Sequence, residues 1–495
     1  RYVSDNNQVR TENTINAVGA TTTVISDLRG NRLSITEPDA SEVSSVYDNF
    51  GRLVSQTDAR EVTTTFTYDL LNRTVRKQFA GDGDTLTHTF TYDSLDAANV
   101  WKGAMMAACV NDSNAVFYHY DNLGRPVEKI TRIEGEDFSF GYTYDSLSRS
   151  NTVTYPNNFA IKYDYDEESR VYAIRDYSTQ AKLYKVRQRD LLQRAKIIVY
   201  GNETGNQYYR NNYGNITKIR QGYTLFPDNM LNRDSIGFEE QPFINTEYRD
   251  LRYTYNSAGL MSSRRDVATH FKENFEYDNL DRLTAFSVAN ADSTVFEHHT
   301  TSFADNGNIM ANSHIGAYSY DSDKPHAVTG IILDSAHAHA ISAAQCDVHY
   351  NLFNQPDTIT EGQWKLVLYY GPDQTRWKTV LFKNNSVFET HWYVGDSYEK
   401  ATNNGSTVHH NIVSGEENAK VICRQEYGTN TYYYVHPDIL GSWCVISRQG
   451  KRLTRSIHFD PWGNPRKFNN WTLVDSTTLT NTIMPARGFT GHEHL

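Results

Sequence analysis

The stretch Tyr120-Asp121-Asn122-Leu123-Gly124-Arg125-Pro126 recurs along the chain. Close copies stand at Tyr47–Leu53 (YDNFGRL), Tyr68–Thr74 (YDLLNRT), Tyr144–Ser150 (YDSLSRS) and Tyr277–Leu283 (YDNLDRL). Weaker ones begin at Tyr92, Tyr165, Arg189, Arg210, Tyr255 and Phe303. A phrase returning every 20 to 30 residues or so marks a repeat architecture. Asp is a turn starter, because its carboxylate accepts backbone N–H groups ahead of it. Gly51, Asn72, Gly124, Gly259 and Gly307 follow at the place where a turn takes positive φ. Before the Tyr, residues alternate apolar and polar, as in Phe138-x-Phe140-x-Tyr142-x-Tyr144, which is the period of a strand with one apolar face. The return strand follows the Arg. Each repeat is therefore read as a β-hairpin, marginal alone and stable beside its neighbours. The turn residues singled out are Tyr47, Asp48, Gly51, Arg52, Tyr68, Asp69, Tyr120, Asp121, Gly124, Arg125, Tyr144, Asp145, Tyr277 and Asp278.

The repeat decides how the 495 residues are spent: on a continuous sheet rather than on several ordinary domains. Hydrophobic residues make up only 38%, yet Tyr numbers 34 and Phe 22, and both are strand formers. The mean hydropathy of −0.64 suits a thin sheet with much wetted surface. A net charge of −11 without a basic stripe excludes nucleic acid as a partner and reads as solubility. No apolar run approaches a membrane-spanning length. Cys109, Cys346, Cys423 and Cys444 show no metal-type spacing and read as free buried thiols, with a Cys423–Cys444 disulfide as the open alternative.

Past Tyr318 the text changes. The segment 334–344 is Ala- and His-rich and reads as a loop or short helix, as does Trp101–Ala108. Strands resume at Cys346–Tyr350 and Trp364–Tyr370, and Asn384-Asn385 marks a tight hairpin. The group His337, His339, Cys346 and His349 has zinc-ligand residue types, but reads as a solvated junction. His298-His299 and His409-His410 read as exposed. His492-Glu493-His494 lacks the spacing of a zinc protease. The repeated Tyr-Asp pairs are turn chemistry, because a catalytic acid would not recur in every hairpin.

With these residues in view, the chain resembles the YD-repeat family of Rhs proteins, insecticidal Tc toxin C components and teneurins, its wording nearest the bacterial Rhs members. The C-terminal third resembles the opening of the Rhs-associated core through 324–329 (KPHAVT), Tyr434–Ser442 (YVHPDILGS), Phe459–Arg466 (FDPWGNPR) and 487–495 (RGFTGHEHL). The core residues this carries over are His436, Asp438, Gly441, Asp460, Pro461, Gly463, Gly491 and His492. The resemblance implies an all-β fold: tandem hairpins in a continuous antiparallel ribbon that spirals into a shell, here an incomplete fragment. It implies residues 1–330 as repeat ribbon, 331–360 as an irregular junction and 361–495 as the first part of the core. It implies a non-catalytic wall around the protein's own C-terminal effector, with the family's self-cleavage aspartates beyond the chain end, no cofactor and no bound metal, in a secreted or cell-surface bacterial protein. Asp460-Pro461 precedes those aspartates in the family's order and reads as a turn. An adhesion module is the alternative, binding surface glycans or a neighbouring cell through Trp364, Trp377, Trp392 and Trp471.

Overall fold

The computed structural model describes residues 2–6, 9–15, 21–93, 103–110, 114–224, 244–290, 292–321, 325–333, 346–451, 453–472, 474 and 487–492. Among these, regular structure is all strand apart from short 3₁₀ turns at Gln449–Lys451 and Phe489–Gly491. The described strands fall into a 28-stranded sheet running from Tyr2 to Leu333 and a 12-stranded sheet from Cys346 to Lys467. Strands pair antiparallel with their chain neighbours. No described helix is long and apolar enough to cross a membrane.

The repeat phrase is one local device used many times. Asp48 Oδ1 accepts the N–H groups of Phe50 and Arg52, each at 2.9 Å, and Asp48 Oδ2 accepts Arg52 Nε at 2.7 Å. Asp69, Asp121, Asp145 and Asp278 make the same set. These donors, the Arg52 N–H foremost, hold the Asp48 carboxyl below the usual carboxylate range. The third residue after the Asp has positive φ: 81° at Gly51 and 77° at Gly124, but also 63° at Asn72 and Ser148 and 62° at Asp281. The turn is held firmly enough to keep even non-glycine residues left-handed. The register shifts at the Tyr, so that Tyr47 pairs with Leu53, Tyr144 with Ser150 and Tyr277 with Leu283.

The Tyr and the Arg then tie one repeat to the next. Tyr68 donates its hydroxyl to Leu53 O at 2.7 Å, Tyr120 to Met105 O at 2.8 Å and Tyr277 to Met261 O at 2.8 Å. Each acceptor is the first residue of the preceding return strand. Arg189 and Arg210, which stand where the Tyr would be, donate to Val171 O and Ala195 O, the equivalent carbonyls. The phrase Arg reaches forward: Arg52 donates to Asn72 Oδ1 at 2.8 Å and lies 4.9 Å from the Tyr68 ring. Arg149 does the same with Ser169 and Tyr165. Replacing Tyr68 by phenylalanine removes one staple and keeps the ring. It is expected to cost about 1 kcal/mol, read as a lower urea midpoint with an unchanged slope.

The device continues past residue 330. Tyr370 donates to Pro356 O at 2.6 Å, and Asn351 receives the N–H groups of Phe353 and Gln355. Asn384 and Asn385, with φ of 49° and 62°, form the expected tight turn. One expectation fails. Met105–Val110 is a strand, paired with Asp84–Tyr92 on one side and Asn114–Tyr120 on the other, where a short helix or loop was read. Two flanking strands satisfy its backbone and bury Ala108 and Val110, which overrides weak local alternation. The segments 94–102 and 334–345, His337 and His339 among them, lie outside the described residues.

The chain divides into two compact units, each drawn from both sheets. The first holds Arg1–Phe138 and His299–Thr390, the second Ser139–His298 and His391–Leu495. In the first, Phe79, His88, Phe353 and Tyr370 pack ring against ring, and Trp377 is buried over Gly371. In the second, Ile422, Tyr433, Val435, Trp443 and Ile446 form one apolar cluster. Tyr248, Cys444, Val445 and Phe459 form another, and Phe286, Val288 and Trp471 a third.

Candidate functional site: a buried ionic cluster in the second unit

The phrases carried over as core motif prove to be turns of the same design. Asp438 Oδ1 accepts the N–H groups of Leu440 and Ser442, and Gly441 has φ 83°. Asp460 Oδ1 accepts those of Trp462 and Asn464 at 2.8 Å, with Gly463 at 91°. Pro461 occupies the second position of that turn, where its fixed φ costs nothing. Burial raises the Asp460 carboxyl, against the donors from Asn464. Gly488–His492 closes a third turn, with Gly491 at 74°. The three turns meet. Trp443 N–H donates to Gly488 O at 2.9 Å, Thr490 N–H donates to Ser442 Oγ at 3.1 Å, and Phe489 packs on Phe459. His492 is exposed and bonded to Thr490 Oγ1.

Beneath these turns lies a cluster of charge that the sequence reading did not single out. Strands Ile244–Tyr255, Met261–Asp266 and Phe271–Tyr277 are neighbours in register, with Leu251 opposite Asp266, Tyr253 opposite Arg264 and Arg264 opposite Glu273. One face of them therefore carries Arg249, Tyr253, Arg264, Asp266 and Glu273, all buried. Arg249 Nε donates to Asp266 Oδ2 at 3.0 Å. Arg264 Nε donates to Glu273 Oε2 at 2.7 Å, and its Nη2 to Phe459 O at 2.7 Å. Its Nη1 stands 3.8 Å from Asp438 Oδ2.

His458, on the strand Leu453–Phe459, completes the cluster. Arg249 Nη2 donates to its Nδ1 at 3.1 Å, which leaves the proton on Nε2, 3.4 Å from Glu273 Oε2. Its ring stacks on Trp471 at 3.9 Å. Burial, then the nearby Arg264, depresses His458 to about 3. Burial alone would raise Glu273, but Arg264 and the His458 bond hold it at about 2. His436 is buried beside this cluster. Its Nδ1 donates to Asn206 Oδ1 at 2.9 Å and its Nε2 accepts Ser447 Oγ at 3.0 Å, and burial lowers it to about 3. Arg466 is fully buried, donating to Glu297 Oε2 at 2.6 Å and Trp471 O at 2.7 Å.

Chemically this is a clamp. Both histidines are neutral at physiological pH, Glu273 is ionised and committed to Arg264, and burial pushes the Cys444 and Cys423 thiols up to about 12. Those two cysteines are free, so the open disulfide alternative falls away, and Cys346 is exposed where a buried thiol was read. His410 is buried rather than exposed, because it sits mid-strand in Ser406–Ser414 with neighbours on both sides. His349 pairs with Asp357 at 2.6 Å. Trp377 and Trp471 are core residues at 4% and 0% exposure, so they offer no platform for a sugar.

The comparisons fit this design. The RHS Repeat family model matches residues 47–82, which hold the Asp48 and Asp69 turns and the Tyr68 staple. Residues 47–82 are thus an Rhs repeat. Solved structures match the fold of almost the whole chain. Over 98% of its length the chain matches a crystal structure of TcdB2-TccC3-TEV, with a TM-score of 0.74 and 13% identity. TcdB2-TccC3 without its hypervariable C-terminal region matches at a TM-score of 0.73 and 13% identity over 98% of the chain. A Photorhabdus luminescens Tc holotoxin pore matches over 98% at 0.72 and 13% identity. The chain spans 27% of the length of each. No curated protein sequence matches. The chain thus has the open, antiparallel-sheet fold found in these Tc toxin structures.

Proposed function

We propose that this chain is part of the wall of a shell that holds an effector polypeptide apart from the cell that makes it. In this reading residues 1–330 are the repeat wall, 331–360 a junction and 361–495 the opening of the core. The wall does no chemistry itself and works outside the producing cell. The observation that carries the reading is the staple ladder. A wall has to resist opening along its length, and here Tyr68, Tyr120, Arg189, Arg210 and Tyr277 each tie one repeat to the one before it, in addition to the sheet. The likeness to TcdB2-TccC3, a protein named with a hypervariable C-terminal region, supports an enclosed cargo. The commitment of Asp438 and Asp460 to turns, and of Glu273 and His458 to the buried cluster, supports a wall that does no chemistry itself.

The test is proteolysis of the full-length gene product, purified whole, with mass spectrometry of the fragments. The expected result is a polypeptide beyond the core that co-purifies and resists protease until denaturant opens the wall. A product in which no segment is protected would overturn the reading.

A further inference from the structure

In the first unit one face of three neighbouring strands of the first sheet carries a lysine among aromatic rings. Gln56 stands opposite Thr64, Thr64 opposite Phe79, and Phe66 opposite Lys77, so these five side chains share that face. Lys77 Nζ lies 4.6 Å from the Phe79 ring centroid and 5.8 Å from that of Phe66. From the next strand Lys77 faces His88, which is fully buried; burial first and Lys77 second lower that histidine to about 4, so it is neutral.

The five residues floor a cleft of about 220 Å³. Residues of the second sheet complete it. Phe353 is the tip of the turn between Asn351 and Gln355 and is seated on Phe79 at 5.7 Å, with Asn354 and Gln374 beside it. The turn at one end of the cleft is already committed. Asp58 accepts the N–H groups of Arg60 and Val62 at 2.9 and 3.0 Å and Arg60 Nη2 at 2.8 Å. Arg60 in turn donates to Asn351 O and Leu352 O, both at 3.1 Å.

Lys77 is therefore the charge the cleft has to offer. Among the described residues no carboxylate pairs with it, and burial lowers the pKa of its amine. A half-buried ammonium without an anion bears a desolvation cost that an incoming anion offsets. Thr64 and Gln56, on the same face, bring a hydroxyl and an amide donor next to it. The rings set the rest of the ligand. A cavity of about 150 Å³ takes benzene, so this one has room for an aromatic ring and a carboxylate.

We propose that this cleft binds an aromatic carboxylate, its carboxylate on Lys77 and Thr64 and its ring packed against Phe66 and Phe79. The acid comes free, as an arylalkanoic acid, or as the C-terminal phenylalanine of a polypeptide. The site stands apart from whether the wall encloses a cargo.

Ligand-detected NMR titration of the full chain with phenylacetate tests it. Saturable binding is expected, with a Kd on the order of 1 mM for so few atoms. Acetate, which lacks the ring, and phenylacetamide, which lacks the charge, are expected to bind about tenfold more weakly or worse. Lys77→Met keeps the length of the side chain and is expected to cause the same loss with phenylacetate, at unchanged circular dichroism. In the wild type, phenylacetate is expected to shield Lys77 from acetylation by N-hydroxysuccinimidyl acetate, read by peptide mass spectrometry, and phenylacetamide is not. The peptide Gly-Gly-Phe separates the two sources: tighter binding than phenylacetate assigns the cleft to a polypeptide end, weaker binding to a free acid. No saturable binding of phenylacetate, acetate bound as tightly, binding that survives Lys77→Met, or equal labelling of Lys77 with and without phenylacetate would overturn the proposal.

Discussion

Replacing Arg264 by alanine is expected to destabilise the second unit by about 3–5 kcal/mol, the cost of leaving a buried charge without its partner. Glu273 is fully buried, and its ionised form depends on Arg264 first and on His458 second. The substitution also strips Phe459 O of its donor and removes the cation nearest Asp438. Urea unfolding followed by tryptophan fluorescence reads the loss directly, because Trp443 and Trp471 are buried in this unit. The double variant Arg264→Met with Glu273→Leu removes both charges and keeps the volume. It is expected to recover the part of the loss that comes from the unpaired Glu273 charge, but not the part that comes from Phe459 O and Asp438, which still lack Arg264. A single variant within 1 kcal/mol or so of wild type would mean that the cluster is wet and contributes little.

Acid is expected to loosen the same unit, and the direction follows from the depressed groups. His436 and His458 titrate near 3 when folded, against an ordinary value of 6.5. Between those values the unfolded chain binds protons that the folded chain refuses, so stability is full above 6.5 and falls as pH drops toward 3. Each histidine contributes about 1.4 kcal/mol per pH unit, or about 2 kcal/mol by pH 5. Glu273, ordinarily 4.5 and held at about 2, adds a loss in the same direction below 4.5. Asp460, whose carboxyl is raised, opposes these weakly. Urea midpoints measured from pH 8 to pH 5 should therefore fall steadily below 6.5. His458→Asn should flatten the slope by the share of one histidine, and an unchanged slope in that variant would remove His458 from the account.

Much of the hairpin format was legible because its chemistry is local. Asp48 binds N–H groups two and four residues on, and Gly51 closes the same turn, so the whole device lies within one phrase. The weaker copies at Arg189 and Arg210 could be recognised as turns. That their arginines replace the tyrosine staple became clear only from the carbonyls they reach. The Met105–Val110 strand was missed because its evidence lies in its neighbours rather than in its own alternation.

The buried cluster was illegible for a related reason. Arg249, Arg264, Asp266 and Glu273 sit in ordinary alternating strands, where charge normally marks the wet face. Nothing within a few residues of them announces burial. Their partners come from far along the chain: His458 lies 209 residues after Arg249, and Phe459 lies 195 after Arg264. The exposed tips show the reverse. Leu70 and Phe353 hold neighbouring places in similar turns, yet one stands in solvent and the other fills a seat. The amino-acid sequence alone determined that this protein is a chain of stapled hairpins, since a turn is set by hydrogen bonds it makes to itself. Which charges are buried, which turn tips are seated and which cysteines are sealed was decided only by tertiary packing, because desolvation depends on what covers a residue.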